Sequence, residues 1–218
     1  MSVTRAFSLV LLLSVTLAPG LAFAASAAPP KAVPLGDADA GAPRLLRQMA
    51  GTWAVQQKMW PGAGAQAVDL PPAVARRQLV GGAYLEETMQ LAPGSKQPPF
   101  TRTAYFNYNV VTHRYEYASL DTRAPQLMVE KGTASTIYAG GTIALQGGEF
   151  TAPKWGAATN VRFRYRLSVG PVEHGRQIVR LYLTPLSGTA RKEFLAFEYV
   201  YTCGRALSPN GTQPNPGD

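Results

Sequence analysis

The sequence predicts an all-β protein, a single antiparallel up-and-down β-barrel of about ten strands with a short N-terminal helix closing one end. Two observations carry this prediction. Strand-like runs follow one another from Gly51 onward with short turns between them, and a short apolar helix signal stands before the first run. An open sheet of so many strands would leave two unpaired edges, and closing it into a barrel removes both.

The strands are marked by runs of alternating or apolar residues that turn residues separate. Gly81-Gly82 is a two-residue hairpin signal, and Gly147-Gly148 indicates a bulge or bend inside its run. The longer Pro/Gly-rich segment 61–73 is interpreted as a loop at the barrel mouth. The predicted runs are roughly 52–60, 74–80, 83–91, 101–108, 114–121, 126–132, 142–150, 160–169, 177–184 and 193–202.

The helix is predicted over residues 43–49. Pro43 suits the first helical turn, because its missing N–H needs no partner there. Leu45, Leu46 and Met49 then fall on one side of the helix. We therefore expect this apolar side to close one end of the barrel.

Alternation assigns the strand faces, because successive side chains point to opposite sides of a sheet. The clearest case is 161–167, where arginines alternate with apolar residues and should face water. Glu87 shares a strand face with Leu85 and Met89, so we expect it to point inward. The last run, 193–202, is apolar on both faces, and its inward side stays open.

Residues 1–24 predict a cleavable export signal. Arg5 supplies the positive start, and the apolar run 7–18 has about 12 residues, short of the roughly 20 needed to span a bilayer. Cleavage is expected after Ala24 or Ala27. We therefore expect a periplasmic or secreted protein with no transmembrane segment in the mature chain. An uncleaved membrane anchor is the alternative.

The remaining chain divides into three parts. Residues 25–42, rich in Ala, Pro, Gly and Asp, are interpreted as a flexible lead. Residues 43–205 form the predicted barrel domain, and this length suits a single domain. Residues 206–218 are polar with several prolines, which predicts a disordered tail.

The net charge of +8 does not indicate a nucleic-acid partner. The basic residues are spread over separate segments, at Arg76-Arg77, 162–166 and Arg191-Lys192. Nucleic-acid binding needs a clustered basic face instead. We interpret these positions as solvated faces.

The sequence predicts no metal site, cofactor or catalytic residue. Cys203 is the only cysteine, so the chain has no internal disulfide, and we interpret it as a buried or idle thiol. His113 and His174 lie in predicted turns and lack the spacing of metal ligands. Ser119 and Asp121 share one hairpin with His113, but a triad needs its base within hydrogen-bond reach of the nucleophile.

Several short motifs follow one another in a recognisable order: a G-x-W start, a G-G-x-x-L-x-E hairpin, a tyrosine turn and a strand that begins with Tyr and ends with Asp. They are carried by Gly51, Trp53, Gly81, Gly82, Leu85, Glu87, Tyr108, Asn109, Tyr115 and Asp121. This order resembles the bacterial DUF1579 family of unknown function, over residues 43–205. Ser119 stands where that family has Trp. The resemblance implies a calycin-like barrel, distantly similar to lipocalins, and it implies no particular function.

A barrel interior offers apolar walls, and tyrosines add hydroxyl groups that can orient a ligand. We therefore expect a small apolar or amphipathic molecule to bind inside, above a floor that contains Trp53. The predicted ligand-binding residues are Glu87, Met89, Phe106, Tyr108, Tyr117, Ser119, Asp121 and Tyr165.

Two other functions stay open. If the tyrosines fill the core, the protein acts through its surface as an envelope-interaction or scaffold protein, with the outward arginines of 162–166 as the contact. Alternatively, the protein is an enzyme in which Glu87 and Asp121 serve as interior carboxylates for acid–base chemistry. An empty interior of roughly 300 Å³ or more favours ligand binding, and a filled interior favours the surface role.

Overall fold

The computed structural model describes residues 37–132, 141–156, 158–187 and 191–203. The predicted export signal, most of the predicted lead and the predicted C-terminal tail lie outside the described residues. In the part that is described, no helix is both long and apolar enough to cross a membrane.

Ten antiparallel strands close into one barrel, in which chain neighbours pair and the first strand pairs with the last. An α-helix, α1 (Asp37–Met49), precedes them. The predicted fold class is confirmed. The strands are β1 (Gly51–Met59), β2 (Val68–Val80), β3 (Tyr84–Leu91), β4 (Thr101–Asn109), β5 (Arg114–Asp121), β6 (Ala124–Gly132), β7 (Ile143–Trp155), β8 (Ala158–Val169), β9 (Arg176–Pro185) and β10 (Phe194–Cys203).

Helix α1 begins at Asp37, before the predicted start at Pro43. The buried residues Leu46 and Met49 pack into one end of the barrel, as the apolar side of the helix predicts. Beneath them the indole Nε1 of Trp53 donates a hydrogen bond to the carbonyl of Met49, at 2.9 Å.

Strand β2 begins at Val68, so the predicted loop at 61–73 is shorter than expected. A bulge makes this possible: Val55 pairs with Ala73 and Gln57 pairs with Leu70, which leaves two prolines opposite one residue of β1. A proline has no N–H to give to a ladder, and a bulge is one of the few sheet positions that accept it.

A second bulge resolves the face of the last strand. The pairing of β10 with β9 shifts between Leu195 and Phe197. Phe194 before the shift and Ala196 at the shift are buried, and after it Tyr199 and Tyr201 are buried. Both faces of this run are apolar because the strand changes its inward side at the bulge.

The predicted bulge at Gly147-Gly148 is confirmed, because the pairing of β7 with β8 shifts there. The predicted outward arginines are confirmed too. Arg162 and Arg164 lie within 2.6 and 3.5 Å of Glu149, and Arg166 lies 2.7 Å from Glu193. The arginine row is therefore an ion-paired surface and not a bare positive one.

Candidate functional site

Buried polar side chains lie inside the barrel on the half nearer to α1, and we call them the inner polar cluster. Strand alternation places them, since each lies in register with apolar inward residues of its own strand. Cross-strand pairing then brings them together, with Arg77 opposite Glu87 and Tyr117 opposite Glu130. The cluster consists of Arg77, Glu87, Arg102, Tyr117, Glu130, Gln177, Tyr199 and Tyr201.

One half of the inner polar cluster is fully paired. Arg77 Nε donates to Glu87 Oε2 at 2.7 Å, and its Nη1 donates to Gln177 Oε1 at 2.6 Å. The Tyr201 hydroxyl donates to the other oxygen of Glu87 at 3.3 Å. Burial raises the pKa of Glu87, but the charges of Arg77 and Arg102 outweigh it, so the pKa ends below its usual value. This half holds strands together as an ionised pair.

Arg102 is a buried cation without a counter-ion in contact. Its side chain is 7% exposed. Its Nη2 donates to the Tyr117 hydroxyl, and its guanidinium lies 4.9 Å from the centre of the Tyr199 ring. No carboxylate of the described ranges lies within ion-pair distance of it. Burial lowers the pKa of Arg102, but the surrounding tyrosines and Glu87 raise it by a larger amount. The pKa therefore lies above its usual value, and Arg102 stays charged.

Glu130 is the second incompletely satisfied group. It is 1% exposed, and its Oε2 has no hydrogen-bond partner among the residues that the structure describes. Burial raises the pKa of Glu130 to about 8, with Arg102 opposing the shift. The carboxyl is therefore mostly protonated near neutral pH, and it supplies little negative charge to balance Arg102.

A small cavity lies between this cluster and α1. Its volume is about 20 Å³, which is room for one water molecule. Met49 of α1 covers it, and the polar lining comes from the inner polar cluster. The apolar lining residues are Leu85, Ala104, Phe106, Val169 and Val179. The cavity thus combines charged and apolar walls but is almost filled in this conformation.

Three of the eight predicted ligand-binding residues line this cavity, namely Glu87, Phe106 and Tyr117. Met89 and Ser119 are buried on inward strand positions outside its lining.

The other three predicted residues lie elsewhere in the barrel. Tyr108 packs edge-on against Tyr115, with ring centres 5.0 Å apart. Asp121 lies at the end away from α1, partly exposed, and binds Arg123 at 2.6 Å. Tyr165 closes a gap in the barrel wall.

That gap lies between β6 and β7, and we call it the β6–β7 seam. Backbone pairing between these strands covers Glu130 to Gly132 on β6, and residues 124–129 have no ladder partner on β7 in the described part of the chain. The Tyr165 hydroxyl takes the position of a ladder partner there. It accepts a hydrogen bond from the Val129 N–H at 2.9 Å and donates one to the Val129 carbonyl at 3.2 Å. A Cβ at Gly147 would lie 2.0 Å from the Tyr165 ring. The ring therefore reaches the seam only because residue 147 is glycine.

Sequence reasoning missed Arg77, Arg102 and Glu130 as interior residues. A signal for Arg102 is present, because it alternates in phase with Ala104 and Phe106. The same phase rule that puts the arginines of β8 outside puts Arg102 inside. Because we interpreted the strand arginines as solvated, Arg102 was not identified as an interior residue. A buried arginine is rare unless it is paired.

The residues considered for metal binding or catalysis do not come together into a site in the described part of the chain. No group of three His, Cys, Asp or Glu side chains stands close enough to hold a metal, as far as the described ranges go. His113 and His174 lie in exposed turns with φ values of 50 and 49°. Cys203 is exposed and not buried. Ser119 faces the interior, while Asp121 binds Arg123.

The fold and site define a closed, ten-stranded antiparallel barrel with a capped, polar interior. A family model described as "Protein of unknown function (DUF1579)" matches residues 41–198. The chain therefore belongs to the DUF1579 family, which confirms the resemblance seen in its motifs. No curated protein matches the sequence.

Proposed function

We propose that this protein binds a small, partly apolar molecule inside the barrel, beside Arg102 and beneath α1. The observation that supports the proposal is the burial of Arg102 without a contacting counter-ion among the described residues, next to a cavity that is partly apolar. Binding sites for small molecules combine such walls with a few convergent polar groups.

Burying these charges is costly. The effective penalty in real proteins is several kcal/mol per ion, and pairing repays it only with good geometry and further hydrogen bonds. Arg77 and Glu87 meet that condition, since both are bonded to further groups. Arg102 does not, because the Tyr117 hydroxyl and aromatic faces are its neighbours. A ligand that completes its contacts gives a reason for this arrangement.

The cavity of about 20 Å³ is far below the roughly 300 Å³ that favours ligand binding, and by volume alone this filled interior favours the surface role. The ligand therefore needs room that this conformation lacks. Met49 covers the cavity, and methionine is the most adaptable of the apolar side chains because it is unbranched. The buried contacts of α1 with the barrel come from Ala42, Leu46 and Met49. We propose that Met49 and α1 shift when the ligand enters.

The test is a thermal-shift screen of the purified protein against apolar and amphipathic compounds, followed by titration calorimetry. A matched pair of variants tests whether the ligand binds in this cavity. Ala104→Val adds bulk to the cavity wall, and Ala54→Val adds the same bulk to a partly exposed position of β1. Binding should weaken by about tenfold or more in Ala104→Val, or roughly 1.4 kcal/mol, and stay unchanged in Ala54→Val. A screen without a stabilising compound class contradicts the proposal.

We also propose that the protein works outside the cytoplasm, on the strength of residues 1–24. N-terminal sequencing of the protein purified from cell fractions tests this. Mature chains should begin at Ala25 or Ala28, and a chain that retains residues 1–24 in the cytoplasmic fraction contradicts export.

A surface role is the second candidate, and an apolar groove of about 490 Å³ on the outer wall of the barrel favours it. Tyr105, Ala118 and Val129 are direct cross-strand neighbours there, and Tyr84 and Val80 extend the row. Glu116 and Lys131 at the groove pair with each other at 3.9 Å, so the apolar row is the part that a two-fold related second copy of the chain can cover. The groove therefore suits self-association.

Sedimentation velocity over a range of protein concentrations tests this second role. Tyr84→Ser removes an exposed ring from the groove, and Leu120→Ser removes an equally exposed apolar side chain outside it. Dimers should form at high concentration and disappear in Tyr84→Ser alone. A monomer at every concentration rules the role out.

A further inference from the structure

The buried charges near α1 do not balance. Arg77 and Glu87 pair at 2.7 Å, so one charge of each sign is cancelled. Arg102 and Glu130 remain, and the Glu130 carboxyl is mostly protonated near neutral pH because burial raises its pKa. Asp121, opposite Arg102 on β5, is bound to Arg123 at 2.6 Å. Among the described residues the interior is therefore left with the positive charge of Arg102, and one negative charge would neutralise it.

Arg102 also has hydrogen-bond donors to spare. A guanidinium carries five N–H donors, and among the described residues Arg102 donates to the Tyr117 hydroxyl. The Tyr199 ring covers a face of the guanidinium at 4.9 Å. The free donors lie at its edge, where a carboxylate binds through two parallel hydrogen bonds.

The interior between Arg102 and α1 has an apolar wall beside the paired Arg77 and Glu87. Along the inner face of β4, Ala104 and Phe106 follow Arg102. Phe106 belongs to the same buried cluster as Met49 of α1, so the strand runs toward the helix. Leu85, Val169 and Val179 complete the apolar lining. A molecule placed here meets the unpaired cation of Arg102 at one end and a hydrocarbon wall along one side, with the Arg77–Glu87 ion pair and the Tyr201 ring on the cavity lining as well.

We infer that the ligand is a small amphipathic carboxylic acid, bound through its carboxylate by Arg102 with its apolar body directed toward α1. This inference rests on the proposed function and adds the chemical class of the ligand. A monoanion matches the single unbalanced cation. A dianionic phosphate ester would leave an excess negative charge buried, which costs free energy.

Matched ligands that differ in their polar group test the inference on the full-length protein. Calorimetric titrations with octanoate, octanol and octyl phosphate compare an anion, a neutral alcohol and a dianion on the same hydrocarbon chain. Butanoate and dodecanoate then bracket the chain length. Octanoate should bind about tenfold or more tighter than octanol, a difference of roughly 1.4 kcal/mol in binding free energy. Octyl phosphate should bind more weakly than octanoate.

Arg102→Met and Arg164→Met form the matched variants. Both remove an arginine, but Arg102 is buried beside the cavity and Arg164 is an exposed surface residue. The preference for octanoate over octanol should vanish in Arg102→Met and persist in Arg164→Met. Arg102→Met leaves no carboxylate without its ion-pair partner, which favours a folded variant. If it does not fold, the ligand comparison on the unmodified protein still decides the question.

Each outcome has a separate meaning. Equal binding of octanoate and octanol overturns the acid inference and leaves the proposed interior site standing. Tightest binding of octyl phosphate overturns the choice of a monoanion. An octanoate preference that survives in Arg102→Met overturns the role of Arg102. Absence of binding by every ligand of the series overturns the inference and counts equally against the proposed function.

Discussion

The two ends of the barrel interior are lined by different kinds of side chain. Near α1, charged and phenolic side chains form the inner polar cluster. At the opposite end, aromatic rings and small apolar residues pack together, and we call these rings the aromatic cluster. Ring centres in it lie 5.1 to 6.4 Å apart, with edge and stacked contacts. The aromatic cluster consists of Phe150, Trp155, Phe163, Tyr165, Phe194 and Phe197.

The two ends contribute differently to stability. The aromatic cluster shows that the same barrel can fill its interior with apolar side chains, and such filling stabilises at no cost in buried charge. The inner polar cluster gives up part of that stabilisation, since ions lose their hydration on burial. Charge is therefore concentrated where a ligand would be held, and the aromatic end acts as its rigid base.

The largest effect is expected in the aromatic cluster. Phe163→Ala should lower the free energy of unfolding by about 3–5 kcal/mol, because the 1% exposed ring leaves a cavity behind. Urea denaturation measures the loss. Phe163→Leu keeps more of the volume and should cost clearly less. If Phe163→Leu leaves the proposed ligand binding unchanged, the different roles of the two ends are supported. Loss of that binding in proportion to the loss of stability would argue against them.

A similar loss is expected when the ion pair at the other end is broken. Glu87→Leu leaves Arg77 buried and unpaired, and this should cost about 3–5 kcal/mol. Replacing both residues, as Arg77→Met with Glu87→Leu, removes the stranded charge. The double variant should be more stable than Glu87→Leu in urea denaturation. A double variant that loses the sum of both single losses would show that the pair does not interact.

Glu130 sharpens the comparison through pH. Its folded pKa of about 8 lies above the usual 4.5, so the folded state holds a proton that the unfolded state releases. The unmodified protein should therefore lose stability relative to Glu130→Gln as the pH rises from about 4.5 to about 8, with no further change above. The pKa difference limits this loss to roughly 5 kcal/mol.

Urea denaturation of both proteins across that pH range measures the effect. The difference between the two curves isolates Glu130, because the other titrating groups are common to both. Ser168→Ala, at a partly exposed position of β8, serves as the control and should run parallel to the unmodified protein. A constant difference between Glu130→Gln and the unmodified protein would mean that Glu130 is ionised in the fold.

The smallest effect concerns the β6–β7 seam. Gly147→Ala would place a Cβ 2.0 Å from the Tyr165 ring, so the ring must leave its hydrogen bonds to Val129. Overpacking of this kind typically costs about 1–3 kcal/mol. Gly148→Ala meets nothing within 4 Å and is the matched control. Hydrogen exchange at the Val129 amide should accelerate in Gly147→Ala alone, and equal behaviour of the two variants contradicts a sealing role for Tyr165.

Much of the fold follows from local signals in the sequence. The alternation of arginines with apolar residues in 161–167 correctly predicts the faces of β8, because the pleat has a fixed period of two. The bulge at Gly147-Gly148 and the inward side chain of Glu87 follow from the same reasoning. The family resemblance rests on motif order, which the sequence itself carries, and the family model confirms it over residues 41–198.

The candidate site is harder to predict from the sequence than the fold, because it depends on which strands become neighbours. Arg77 binds Gln177, a residue 100 positions further along the chain, and no local pattern announces that contact. Asp121 has the residue type of an interior carboxylate but lies near a strand end, where Arg123 reaches it. In β10 the register shift reverses the inward face, so alternation by itself gives no answer.

Short-range periodicity and motif order are enough to predict about ten strands, the residues that share a face of each strand, and the family. Alternation with Ala104 and Phe106 also puts Arg102 on an inner face. The folded structure adds that Arg102 has no contacting counter-ion among the described residues, whereas Arg164 lies beside Glu149. Ion pairs depend on which strands become neighbours when the barrel closes, and burial sets what an unpaired charge requires.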